Sequence, residues 1–192
     1  NSGTIETGLE AINAPALWNL GYTGRGLLVY DYDTGVCPEH PAIKNRFLAN
    51  HFPMDQSWYG YFKDFPNESN SDHGTHTLGT MVGEGLDSGD TIGVAPGAYW
   101  IACDLVTTSV EELPPLENIV AAYEWALDSD NNSETTDDIP KGIYAGTLIP
   151  PYILVDDLYA FIVIVTCALA LHITLPSSTS KGLLLEYVEA FV

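Results

Sequence analysis

Leu27-Leu28-Val29-Tyr30-Asp31-Tyr32 is an apolar run broken only at Asp31, and it ends in Asp33-Thr34-Gly35. Such a run reads as a buried strand. Thr23-Gly24-Arg25-Gly26 is the turn that feeds it. Upstream, Ala14-Pro15-Ala16-Leu17-Trp18-Asn19-Leu20 reads as a short helix, with Pro15 in the first turn and Gly21 at its exit. Downstream, Ser71-Asp72-His73-Gly74-Thr75-His76 starts a second unit that continues through Thr77 to Gly83. Gly74, Gly79 and Gly83 would each cost about 1 kcal/mol in an exposed helix, so this helix is expected to pack closely on something. Ile92 to Ala98 then leads into a second apolar strand, Tyr99 to Val106. Pro115 opens a helix in which Leu116, Ile119, Val120, Tyr123 and Leu127 follow 3/4 spacing. Strand, helix, strand, helix in this order predicts an α/β fold with a mostly parallel sheet.

The 192 residues carry 6 Lys+Arg against 26 Asp+Glu, a formal charge of −20. A surface this acidic repels phosphate backbones, which excludes general nucleic-acid binding, and it disfavours anionic membranes. With 46% hydrophobic residues, 11% aromatic and four Trp, the chain is not a disordered one. Its length predicts one core, burying roughly 65–75% of the unfolded surface. Cys37, Cys103 and Cys167 are too few and too scattered for a disulfide framework or a zinc knuckle. Asn1-Ser2-Gly3-Thr4 has neither an initiator Met nor a signal segment, which fits a processed chain or a fragment.

The charge is uneven. Residues 1–140 hold 22 acidic and 4 basic residues, whereas 141–192 hold 4 and 2. Every Trp and every Asn precedes residue 141, and the chain then turns aliphatic. This change divides the sequence into 1–140 and a tail, 141–192.

Open parallel sheets present functional groups at the carboxyl ends of their strands. Asp33 stands at such an end, and His73 stands at the start of the glycine-rich helix. A carboxylate there can hold the Nδ1–H tautomer of the imidazole, leaving Nε2 to take a proton from a nucleophile. Each half alone has other readings. Asp-Thr-Gly is a common turn, and as an aspartic-protease signature it needs a second copy that is not present. His73 and His76 stand at i and i+3 without an intervening Glu, which is not the zinc-helix spacing.

Taken with their flanks the halves become specific. Leu28-Val29-Tyr30-Asp31-Tyr32-Asp33-Thr34-Gly35-Val36 with His40-Pro41 resembles the catalytic-Asp segment of the subtilisin-like serine proteases, the subtilases (peptidase family S8). Asp72-His73-Gly74-Thr75-His76-Thr77-Leu78-Gly79-Thr80 resembles their catalytic-His segment, and Gly93-Val94-Ala95-Pro96-Gly97-Ala98 their next landmark. The likeness is strongest to the bacillopeptidase-F-like branch and runs from about residue 8 to about residue 140. It implies a subtilisin-like parallel sheet flanked by helices, incomplete in this chain, and endopeptidase action on polypeptides through an Asp-His-Ser triad. Asp33 would be the triad carboxylate and His73 the general base. His76 would pack beneath the site. Asp31 is expected to face solvent rather than the His helix, and Cys37 to be a small buried hydrophobe. No cofactor or metal is implied at the site. The acidic loop Glu84 to Asp90 offers oxygen ligands for a structural calcium, but a solvated loop is the preferred reading. An extracellular location follows from the resemblance.

The pattern breaks at the third member. The subtilase order is Asp, His, Ser, with the serine in a Gly-Thr-Ser-Met-Ala-like segment opening a helix. Ser177, Ser178 and Ser180 lie in Pro-Ser-Ser-Thr-Ser-Lys, which lacks the glycine and the helix. Where the oxyanion Asn is expected stands Lys141-Gly142-Ile143-Tyr144-Ala145-Gly146. Loss of the serine removes about 10⁶-fold of kcat in subtilisin itself, and loss of an oxyanion donor about 10²–10³-fold. This chain alone is therefore expected to be inactive. Its tail has three readings. It is a non-homologous or frame-shifted end, or a membrane span over Leu158 to Leu175 at the short edge of the ~17–25 residues required, or a segment completing the sheet. The alternative to an enzyme fragment is a non-catalytic acidic binding module, anchored to a membrane through that tail.

Overall fold

The computed structural model describes residues 5–68, 71–85, 90–107, 114–136 and 138–145. Two short helices, α1 (Thr7–Ala11) and α2 (Ala14–Asn19), precede strand β1 (Leu28–Tyr32). Then follow β2 (Trp58–Tyr59), helix α3 (His73–Val82), β3 (Tyr99–Cys103), α4 (Leu116–Leu127) and β4 (Gly142–Ala145). The four strands form one sheet in the order β2-β3-β1-β4, parallel throughout. This is the α/β architecture that the alternation of elements predicts.

All five residues of β1 are buried. The strand pairs on one side with β3, Leu28 opposite Tyr99 through Tyr32 opposite Cys103, and on the other with β4, Val29 opposite Gly142. An inner strand covered on both faces needs no polar alternation, which is why its sequence is almost continuously apolar. Its side chains still alternate between two cores. Val29 packs with Trp100 and Ala102 of β3 and with Leu78, Met81 and Val82 of α3. Leu28, Tyr30 and Tyr32 pack on the opposite face with Ile101, Cys103 and the α4 residues Ala122 and Ala126.

Three elements differ from the sequence reading. In α4 the buried residues are Ala122 and Ala126, with Ile119, Tyr123 and Trp125 packed beside them. Of the anticipated stripe Ile119 and Tyr123 face the core, whereas Leu116 is 74% exposed, Val120 46% and Leu127 52%, so the buried face is centred on the two alanines. The strand tyrosines explain this face. Tyr30 meets Tyr123 edge-on at 6.2 Å, and Tyr32 stacks on Tyr123 at 5.1 Å. Between these rings the helix approaches the sheet through the small side chains of Ala122 and Ala126, both fully buried. Strand β3 stops at Cys103 because Asp104 turns aside to accept hydrogen bonds from the backbone N–H groups of Tyr61, Phe62 and Lys63. Of the helix glycines, Gly74 meets the close packing expected, while Gly79 has open space where a Cβ would stand.

The sheet continues past the composition change at residue 140. Lys141 N–H donates to the Leu28 carbonyl at 2.7 Å, and Ile143 packs against the α4-side core. The remainder of the tail, including 158–175 and the three serines, lies outside the described residues. Among the described residues no helix is long and apolar enough to cross a membrane.

Candidate active site

Asp33 follows β1 directly and sits at its carboxyl end, fully buried. The chain turns immediately at Gly35, whose φ of +106° only glycine holds without strain. The turn brings the segment under the first residues of α3. A Cβ on Gly74 would run into the Gly35 carbonyl oxygen and lie 3.1 Å from Asp33 Cβ, so the bare backbone of Gly74 permits the approach.

The start of α3 is stitched to the Asp33 turn by side chains. Ser71 Oγ accepts the His73 N–H at 3.1 Å, and Thr34 Oγ1 accepts the Gly74 N–H at 3.2 Å. Thr75 Oγ1 accepts the Cys37 N–H at 2.8 Å. The first two bonds occupy donors that a helix start leaves unpaired, and the last two tie the helix to the segment after β1.

Held this way, His73 Nδ1 lies 2.8 Å from Asp33 Oδ1 and 3.0 Å from Oδ2. Asp33 Oδ1 also accepts the Thr34 N–H at 2.6 Å, and Oδ2 lies 3.3 Å from Thr77 Oγ1. The carboxylate is thus oriented by three neighbours and presents its oxygens to one nitrogen of the ring. The histidine side chain is 41% exposed, so the ring bridges a buried anion and solvent. Its pKa is raised, first by the hydrogen bond to Asp33, against partial burial, and further by the charges of Asp33 and Asp72. With Nδ1 engaged, Nε2 is the nitrogen available for proton transfer.

Asp33 and His73 are therefore together, as anticipated. Asp31 is not where it was expected. It is fully buried, and its Oδ1 lies 3.4 Å from Thr77 Oγ1 on α3, because side chains two apart on a strand share a face. His76 is exposed on the outer side of α3 rather than beneath the site. It stands three residues from His73, but the inward positions of the helix are taken by Thr77, Leu78, Met81 and Val82. Cys37 is half-buried. The loop 84–90 is described only at its ends, so the calcium ligands expected there fall largely outside the described residues. A different acidic group, Asp128, Asp130 and Asp138, has carboxylate oxygens within 4.8 Å of one another. Its members are half-exposed, and Asp130 and Asp138 already accept hydrogen bonds from their own loop.

Thr34, Ser71 and Thr77 went unrecognised in the sequence. Thr77 had one available signal, since it stands four residues after His73 and therefore on the same side of the helix. The other two are ordinary turn residues until the two segments meet.

Residues 24–137 match the subtilase family, Peptidase S8. Over 133 residues, 64% of this chain, the sequence is 38% identical to Bacillopeptidase F of Bacillus subtilis strain 168, covering 9% of that protein. It is 38% identical over 96 residues, 49% of this chain, to the Intracellular serine protease of Paenibacillus polymyxa, covering 27% of it. It is 32% identical over 124 residues, 60% of this chain, to the Minor extracellular protease Vpr of Bacillus subtilis strain 168, covering 14% of it. The chain thus spans less than a third of the length of each of these relatives.

Proposed function

This chain belongs to the subtilase family of serine proteases, and on that premise we propose that Asp33 and His73 are the carboxylate and general base of an Asp-His-Ser triad for endopeptidase hydrolysis of polypeptides. The observation that supports it is the contact of His73 Nδ1 with both Asp33 oxygens, at 2.8 and 3.0 Å. In this reading Asp33 holds the Nδ1–H tautomer. Nε2 takes the proton of a serine hydroxyl as the acyl-enzyme forms, and the imidazolium is stabilised by the buried carboxylate until it protonates the leaving amine. The 192 residues contain no Gly-Thr-Ser segment, so the chain as it stands positions the base without a nucleophile and does not cleave peptides.

Two measurements test this. A fluorophosphonate probe should leave the 192-residue chain unlabelled, and stoichiometric labelling of a serine would refute the inactivity. In an NMR titration Asp33→Asn should lower the His73 imidazole midpoint, because the group that most raises it is removed. An unchanged midpoint would refute the pair. An extracellular location belongs to the same proposal. One relative is extracellular by name and another intracellular, and fractionating the expressing cells separates the two.

A further inference from the structure

Asp31 has no part in the triad reading, yet it is buried beside it. It precedes Asp33 by two residues on the same face of β1, toward α3. Its Oδ1 lies 3.4 Å from Thr77 Oγ1, and its Oδ2 has no hydrogen-bond partner among the described residues. The same Thr77 hydroxyl is 3.3 Å from Asp33 Oδ2 and 3.0 Å from the Gly74 carbonyl oxygen. A hydroxyl has one proton to give and lone pairs to receive with. If both carboxyls were ionised, three acceptor oxygens would compete for that proton, and at least one buried carboxylate oxygen would face a lone pair. Asp31 forms no ion pair among the described residues that could offset its charge.

The charged and titratable neighbours point the same way. From β1 comes Asp33, and from α3 come His73, already held by Asp33, and Asp72 just before the helix. From β3 comes Cys103, on the opposite face of the sheet and with its thiol pushed up to about 12 by burial, and just after β3 stands Asp104, whose carboxylate is turned onto the Tyr61, Phe62 and Lys63 N–H groups. The competition is relieved when Asp31 donates from Oδ1 to Thr77 Oγ1 and Thr77 donates to Asp33 Oδ2, which leaves Asp31 Oδ2 unpaired as a neutral carbonyl oxygen rather than as half of a buried anion.

We propose that Asp31 is a positioning residue for the Asp33–His73 pair, holding a proton at neutral pH and fixing Asp33 Oδ2 through the Thr77 hydroxyl. This rests on the triad reading of Asp33 and His73. Burial, and next the charge of Asp33, push the Asp31 carboxyl well above the usual carboxylate range, against a smaller lowering from Thr77. The chain Asp31–Thr77–Asp33 spreads the negative charge of Asp33 over a further hydrogen bond, beside those from His73 and the Thr34 N–H. It thereby moderates the basicity of His73 while holding the carboxylate in one orientation.

The test is NMR on the full 192-residue chain, following backbone-assigned aspartate carboxyl carbons and the His73 imidazole nitrogens. The Asp31 carbon should keep its protonated shift through pH 7. Asp31→Asn, which retains a neutral donor, should leave the His73 midpoint within about 0.3 pH units of the parent. Thr77→Val and Asp31→Leu should each raise it by about 0.5 pH units, with no further rise when combined, and Thr77→Ser should restore it. An Asp31 carboxyl ionised at pH 7 would overturn the proposal, as would a fall of about one pH unit in Asp31→Asn, the signature of removing a charge. Should the Asp31 variants fail to fold, the parent carboxyl titration and the Thr77 variants decide. Failure of the triad reading is separate, because it appears as an unchanged His73 midpoint in Asp33→Asn whatever the protonation of Asp31.

Discussion

Alanine at Gly74 and alanine at Gly79, five residues apart in α3, should move stability in opposite directions. At Gly79 a Cβ would meet nothing within 4 Å, and the backbone there is not left-handed. The substitution removes the conformational freedom of glycine from the unfolded chain and should stabilise by about 0.5–1 kcal/mol. For a chain of this size that raises Tm by roughly 1–4 °C. At Gly74 the same gain is opposed by contact with the Gly35 carbonyl oxygen and with Asp33 Cβ at 3.1 Å. Gly35 cannot retreat easily, because its φ is +106° and Asn67 backbone stands within contact of its own Cβ position. Overpacking against backbone costs about 1–3 kcal/mol, which after the entropic gain leaves Gly74→Ala destabilised by about 1 kcal/mol, and by up to about 2.5 kcal/mol where the turn cannot give. Urea unfolding followed by tryptophan fluorescence measures both, with m-values checked for constancy. If Gly74→Ala proved as stabilising as Gly79→Ala, α3 would not press on the turn after Asp33, and the geometry that brings His73 to Asp33 would be wrong.

His73 has a raised midpoint in the folded chain, so its contribution to stability is complete below the unfolded value of about 6.5 and is lost as pH rises through the folded midpoint. The stability advantage of the parent over His73→Gln should therefore shrink from acid to alkaline pH, by a modest amount because the ring is 41% exposed, and a constant difference would refute the pairing. Asp104→Ala should cost about 3 kcal/mol by leaving the N–H groups of residues 61–63 without their acceptor, with faster amide exchange confined first to that loop. Cys103 is fully buried and its thiol is pushed up to about 12, so a thiol reagent at mildly alkaline pH should modify Cys37 and leave Cys103 intact until denaturant is added, as mapped by mass spectrometry.

Much of the site was legible because its signals are local. An apolar run, an Asp at its end, a glycine after it and a His at the start of a helix are each readable within about ten residues of chain. Pro15 and Pro115 mark helix starts for the same reason, since a proline within the first turn loses no intrahelical bond. Asp31 shows where this stops. A charged residue in a strand is assigned to solvent by default, and only the docking of α3 on that face turns it inward onto Thr77.

The sequence alone was enough for the parallel α/β arrangement, because periodicity and turn residues are properties of neighbouring residues, and the resemblance of two short segments to the subtilases was enough to pair Asp33 with His73. Tertiary structure decided which face of α4 is buried, the one where Tyr123 packs on the Tyr30 and Tyr32 rings and Ala122 and Ala126 close the gap to the sheet. It decided that Gly74 is required and Gly79 is not, and that Asp104 serves a loop more than 40 residues upstream in the chain. Each of these depends on which distant surface a side chain meets, and that is set by packing between elements rather than by the order of residues within one.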